Sequence, residues 1–166
     1  MIKKARDFAI ESHGDQKYGK HPYSFHLDQV AEKARAFGEE AEVIAYLHDV
    51  VEDTSVTIED IESQFGKLVA ICVSVITDET GNNRQERKAK TYRKMAEVKG
   101  DAELGLIVKV CDRLANVSTS IKNHNAKMFN IYCQEHPVFK KSAFRQGLCD
   151  DLWLELDNLI DTSNKI

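Results

Sequence analysis

The stretch VIAYLHDVVEDT, residues 43–54, decides how the rest of the chain is read. From Val43 to Val51 it is apolar nearly all round, interrupted only by His48 and Asp49. A helix of that kind is buried on most sides. An ionised Asp inside it loses its hydration and needs strong partners. A metal ion is one such partner, because it favours a deprotonated carboxylate and a neutral imidazole. A buried, hydrogen-bonded His–Asp pair is the plain alternative. Glu52 lies one helical turn beyond His48, and Asp53 one turn beyond Asp49. If the helix continues through Val51, each pair shares a side. Four ionisable groups then crowd one end of a buried helix, and like charges that close need a cation or a shared proton.

Outward from this stretch the apolar spacing stays helical. A helix over about Glu39–Val51 carries the His-Asp pair. Before it, residues 2–13 put Ile2, Ala5, Phe8 and Ala9 on one face, and Pro22 stops that unit. A second helix runs from about Tyr23 to Phe37, ends at Gly38 and carries His26. After it, Thr57 and Asp60 resemble a capping box that opens a helix to Phe65, broken at Gly66. KLVAICVSVIT at 67–77 suits strand or helix by composition; with no partner strands elsewhere, helix is expected. DETGNNR at 78–84 reads as a loop. A basic helix over 84–99, an apolar one over 103–121, and two more after Asn125, separated at Pro137, complete the chain. The expectation is an all-α helical bundle forming one domain over residues 1–166.

Composition narrows the function. Net charge is −4, so a general nucleic-acid binder, which needs a basic surplus, is not expected. A mildly acidic chain can still bind a small polyanion through a local cation. No apolar run approaches the ~18 residues of a membrane span, and MIKKARDFAI lacks a signal peptide's apolar core. Cys72, Cys111, Cys133 and Cys149 form no CxxC pair and read as reduced thiols. A cytoplasmic protein is expected.

Asp112 repeats the burial problem of Asp49, in the apolar helix IVKVCDRLANV, with Asn116 one turn on. His26 follows Pro22-Tyr23. His26, His48, Asp49 and Asp112 therefore make a set of imidazoles and carboxylates that suits Mn²⁺, Fe²⁺ or Zn²⁺. Four protein ligands leave two open positions on an octahedral ion, for water and a phosphate oxygen.

This H…HD…D set resembles that of the HD-domain phosphohydrolases. LHDVVEDT at 47–54 is more specific and is similar to the hydrolase domain of the RelA/SpoT enzymes and the short single-domain alarmone hydrolases. Lys17, Gly19 and PYSFH at 22–26, FG at 65–66 and KVCDRLAN at 109–116 extend the likeness over roughly residues 4–120. The resemblance implies an HD-domain bundle that removes the 3′-pyrophosphate of guanosine tetra- or pentaphosphate with Mn²⁺. It implies His26, His48, Asp49 and Asp112 as metal ligands, and Glu52 and Asp53 as the groups that orient and deprotonate water. It also implies Asn116 at the ribose and Lys17 at the phosphates or base. The chain departs from the family at KYGKHPY, 17–23, where Tyr18 replaces a second basic residue and Lys20-His21 stand where Glu is common.

Other candidates carry less. Of the basic residues over 84–94, Arg84 and Arg87 are the ones expected to reach phosphates, the rest being a solvated face. His13, which ends the first helix near Gln16, could touch the site from outside. Lys109 reads equally as a partner of Asp112 or as a surface ion pair. Tyr132 and Trp153 read as packing aromatics, and the apolar spacing over 125–166 as cover for the core or a homodimer face. The alternatives to an alarmone hydrolase are an HD phosphohydrolase for another nucleotide, such as NADPH or a deoxynucleoside monophosphate, and a non-catalytic alarmone-binding domain.

Overall fold

ELGLIVKVCDRLANVSTSIK forms the longest helix, α8 (Glu103–Lys122), and its apolar residues are buried on nearly every side. The structure, a computed structural model, describes residues 1–163, and side chains through Asp161. Residues 164–166 of the expected domain span lie outside it. Around α8 are arranged α1 (Ile2–His13), α2 (Ser24–Ala34), α3 (Glu39–Leu47), α4 (Val50–Asp53), α5 (Ile58–Phe65), α6 (Lys67–Ile76), α7 (Arg84–Ala96), α9 (Ala126–Ala143) and α10 (Asp150–Ser163). Helices α2, α3, α6, α9 and α10 pack directly on α8; α1 packs on α3, α5 on α6, and α7 on α9. Leu27, Ile44, Leu47, Ile76, Leu106 and Leu114 are fully enclosed between them. At the α6–α8 crossing, Gly105 lets the backbones meet: a Cβ there would lie 2.9 Å from the Cys72 carbonyl oxygen. The architecture is an all-α bundle. Among the described residues no helix is long and apolar enough to cross a membrane.

Residues 67–76 are helical, and Thr57 and Asp60 make both bonds of the capping box. Three expectations need amendment. First, Lys17–Tyr18 (β1) and His21–Pro22 (β2) pair antiparallel, with Tyr18 opposite His21 and Gly19 at φ 60° in the turn. A ladder this short leaves no alternation to read, and a positive φ at the turn is what Gly supplies.

Second, the helix expected over 39–51 breaks at His48-Asp49 into α3 and α4. His48 Nδ1 binds the Ala45 carbonyl at 2.7 Å. In an unbroken helix that acceptor belongs to the Asp49 amide, so the ring competes with the backbone. Third, α9 runs through Pro137 without separating there. Proline costs about 3 kcal/mol in a helix interior. Phe129 and Tyr132 before it and buried Phe139 after it pack on the core and hold the helix together. The separation comes instead after Ala143.

Candidate metal centre and its cavity

The break at His48-Asp49 aims both side chains at α2 and α8. His26 comes from α2, two residues after its start, and Asp112 from the middle of α8. His48 and His26 are each 1% exposed. His48 Nε2 lies 3.0 Å from Asp49 Oδ2 and 3.7 Å from Asp112 Oδ1. His26 Nε2 lies 3.2 Å from Asp112 Oδ1 and 3.7 Å from Asp49 Oδ2. One donor atom each from His26, His48 and Asp49 fit within 4.8 Å of one another, and Asp112 stands against both imidazoles.

Further side chains hold the two carboxylates. Tyr23 donates its hydroxyl to Asp49 Oδ2 at 2.5 Å, and Asn116 donates its amide to Asp112 Oδ1 at 2.5 Å. Lys109, 5% exposed, sits 3.2 Å from Asp112 Oδ2, so it is a buried partner of that carboxylate rather than a surface ion pair.

The donor set fits a divalent cation. With Nδ1–H given to Ala45, neutral His48 turns a bare Nε2 toward two carboxylates. That nitrogen is buried without a hydrogen-bond partner. Acceptors facing acceptors need a positive charge between them. Without an ion the charge falls on His48 itself: burial pushes its imidazole down, but the Asp49 and Asp112 carboxylates outweigh this and raise it to about 10. Burial likewise opposes ionisation of Asp49 and Asp112. His48 nevertheless holds Asp49 below the usual carboxylate range, and Lys109 with both imidazoles holds Asp112 well below it.

Glu52 and Asp53 follow on α4 at the edge of a cavity of about 210 Å³. Glu52 Oε2 accepts the Asp78 amide at 3.1 Å, and Asp53 Oδ2 accepts the Gln16 amide at 2.8 Å. Desolvation raises the Glu52 carboxyl, helped by Asp78 and Asp49 and opposed by Lys109. Four cations line the same cavity: Arg84, Lys88, Lys109 and Arg113. Tyr18, Asn116 and Tyr132 form a wall shared with a second cavity of about 650 Å³. Tyr18 stacks on His26 with centroids 4.6 Å apart and donates to Asn116 Oδ1 at 2.7 Å.

The expected substrate contacts divide. Tyr18, Asn116 and Arg84 line the cavity; Lys17, which is exposed, and Arg87 do not. Arg84 is already engaged by Glu135 of α9, at 2.7 and 3.2 Å. Sequence reading passed over Tyr23, Lys88, Arg113 and Glu135, and took Tyr132 for packing alone. Lys88 projects from α7 among cations expected to be solvated, yet it pairs with Asp78 at 2.8 Å and is buried, which nothing in the basic stretch signals.

The chain is 33% identical over 150 residues to the guanosine-3′,5′-bis(diphosphate) 3′-pyrophosphohydrolase of Aquifex aeolicus, covering 89% of this chain and 22% of that protein. It is 36% identical over 118 residues to the enzyme of the same name from Danio rerio, covering 67% and 64%. The chain thus spans about a fifth of the length of the bacterial relatives it matches. A solved structure, described as a metazoan ortholog of SpoT that hydrolyzes ppGpp, superposes with a TM-score of 0.82 at 23% identity. The superposition covers 99% of this chain and 96% of that one, a likeness of fold. The model of the HD domain matches residues 5–149, and the chain belongs to that family, whose domains bind divalent metals.

Proposed function

We propose that the chain is a metal-dependent pyrophosphohydrolase, acting through one HD domain in the cytoplasm. It removes the 3′-pyrophosphate of guanosine tetra- or pentaphosphate and leaves GDP or GTP. The observation that carries this reading is one cavity lined by His26, Asp49 and Asp112 of the buried imidazole–carboxylate cluster, by Glu52 and Asp53, and by four cations. The likeness to the Aquifex aeolicus and Danio rerio proteins, both named as guanosine-3′,5′-bis(diphosphate) 3′-pyrophosphohydrolases, supports it.

His26, His48, Asp49 and Asp112 would hold the ion, which we take to be Mn²⁺; bound there, it supplies Lewis acidity toward a phosphoryl oxygen. The residues of the chain do the rest. Glu52 and Asp53 orient the attacking water and accept its proton as its oxygen bonds phosphorus and the bond to the 3′-oxygen breaks. Lys88 and Arg113 offset the charge of the pyrophosphate, and Arg84 joins them when it leaves Glu135. Lys88, at the cavity wall, suits this role better than Arg87 or Lys17. Asn116 and Tyr18 orient the ribose from the shared wall, with the remainder of the nucleotide toward the larger cavity.

The test is product analysis with Mn²⁺ over a nucleotide panel. Pyrophosphate released from guanosine tetraphosphate is the expected product. Orthophosphate released from NADPH or a deoxynucleoside monophosphate, with guanosine tetraphosphate untouched, would sink the assignment. Tyr18 stacked on His26, in place of a basic residue, is the observation that favours that second reading.

Metal removal has a predicted signature. Mn²⁺ should raise Tm over chelator-treated protein, by the equivalent of about 2.7 kcal/mol at a hundred times its Kd. In metal-free protein His48 is raised from 6.5 to about 10. The stability it contributes is therefore complete below pH 6.5 and declines as pH rises toward 10. Metal-loaded protein escapes that decline, because binding has already displaced the proton. Melting curves with chelator and with Mn²⁺ should diverge further at about pH 8.5 than at about pH 6.5. An equal gap at both would show that the ion does not compete for His48.

A further inference from the structure

Asp53 is held from outside its own helix. The Gln16 side-chain amide meets Asp53 Oδ2 at 2.8 Å, and His13 Nδ1 meets Gln16 Oε1 at 2.8 Å. The backbone of Gln16 is fixed as well: its N–H donates to the His13 carbonyl, and its carbonyl accepts from Tyr23, both at 3.1 Å. His13, 7% exposed, stacks on the Tyr23 ring with centroids 4.3 Å apart. Tyr23 in turn holds Asp49. One unit, His13–Gln16–Tyr23, therefore grips α4 at Asp49 and again one turn on at Asp53.

The polarity of the chain follows from chemistry. An ionised carboxylate only accepts, so Gln16 must turn its N–H toward Asp53. Its carbonyl then faces His13 and needs a donor, which places the proton of a neutral imidazole on Nδ1. His13 Nε2 is buried with no partner, so a proton there would be an unsatisfied buried donor. Only this arrangement leaves no buried donor without an acceptor. It engages one Asp53 oxygen and leaves the other free. The contact also survives proton uptake, since a carboxyl group protonated on its second oxygen still accepts through the first.

We propose that Gln16, locked by His13, is a positioning residue that holds Asp53 by one oxygen so that the other faces the water attacking phosphorus. This rests on Asp53 being a base in the reading above. Misaligning a catalytic group by about 1 Å can cost up to about a hundredfold in rate.

The test is Gln16→Met, which keeps length and loses both polar ends, with His13→Phe, which keeps the stack on Tyr23. Each should lower kcat for pyrophosphate release from guanosine tetraphosphate by about ten- to a hundredfold. KM and Mn²⁺ affinity should move less than about twofold, a split that general loosening of the fold would not produce. In an Asp53→Asn background, Gln16→Met should cost nothing further, because the group it positions is gone. NMR of the ring nitrogens, which needs no turnover, should find the His13 proton on Nδ1 in the unaltered protein and no longer confined there in Gln16→Met. An unchanged kcat in Gln16→Met, an undiminished loss in the Asp53→Asn background, or a proton on Nε2 would each overturn the proposal. No turnover by the unaltered protein would overturn the hydrolase reading, and the role of Gln16 with it. Turnover that Gln16→Met leaves intact would overturn the role alone.

Discussion

Replacing Glu52 by Gln and Asp53 by Asn together is expected to lower kcat for pyrophosphate release by about a thousandfold or more while cation binding survives. General-base catalysis contributes about 10²–10⁴-fold, and the pair removes both groups able to take the proton of water. Both changes are isosteric. Neither residue is among the four donors packed against one another at 3.0–3.7 Å. In Glu52→Gln the new side-chain carbonyl can still accept the Asp78 amide, so the loop after α6 keeps its anchor. Single changes should each cost less than the double, because two carboxylates on adjacent residues of α4 can partly cover for one another. The measurements are kcat and KM for guanosine tetraphosphate, with Mn²⁺ affinity by calorimetry. Retained turnover would move the base elsewhere. Lost Mn²⁺ affinity would make Glu52 or Asp53 a ligand. Tight nucleotide binding with no hydrolysis by the unaltered protein would instead favour a domain that binds an alarmone without cleaving it.

What sequence conveyed about this site, and what it did not, divides along a physical line. Burial of charge is legible: Asp49 and Asp112 are carboxylates in apolar helices, and each demands a partner wherever the chain goes. Helical periodicity placed α1, α2 and α8 for a related reason, since their apolar residues must be covered, while α6 followed only from the lack of partner strands for a β-branched run. Exchanges of hydrogen bonds are not legible. His48 taking the Ala45 carbonyl breaks a helix whose apolar run resumes at Val50, so periodicity passed over the kink that aims Asp49. The hairpin carrying Tyr18 is too short to leave a pattern. Pro137 was read by its local cost, which packing on both sides of it outweighs. Long-range partners are the hardest to see. Glu135 meets Arg84 and Arg113 only because α7, α8 and α9 come together, and Gln16 meets Asp53 only because α1 ends beside α4.

Glu135→Ala is expected to lower stability by about 3 kcal/mol or more, although Glu135 lies outside the donor set and its helix was read from sequence as cover. Arg113 is 5% exposed and gives its guanidinium to Glu135 at 2.8 Å and to the Tyr92 hydroxyl at 2.8 Å. It also lies over the Tyr132 and Phe139 rings, 4.9 and 4.7 Å from their centroids. Removing the carboxylate strands a buried cation, and breaking such a pair from one side costs about 3–5 kcal/mol. For a chain of this size that lowers Tm by about 10 °C. The second pair, with half-exposed Arg84, adds little because water screens it. The effect has a pH signature. Burial works against the Glu135 charge, but Arg84 and Arg113 hold its carboxyl below the usual range. Its contribution is therefore full above the ordinary glutamate pKa and lost as pH falls through the lowered one. The Tm gap between unaltered protein and Glu135→Ala should be widest near neutrality and close on acidification, with Glu135→Gln in between. A gap that stays open in acid would mean that Glu135→Ala acts through lost packing along α9 rather than through a stranded charge. The same variant bears on catalysis, because Arg84 and Arg113 both face the cavity. A carboxylate gripped by both guanidiniums occupies the cations that a pyrophosphate would otherwise recruit. Freed of it, Arg84 is expected to lower KM for the nucleotide even as the fold weakens.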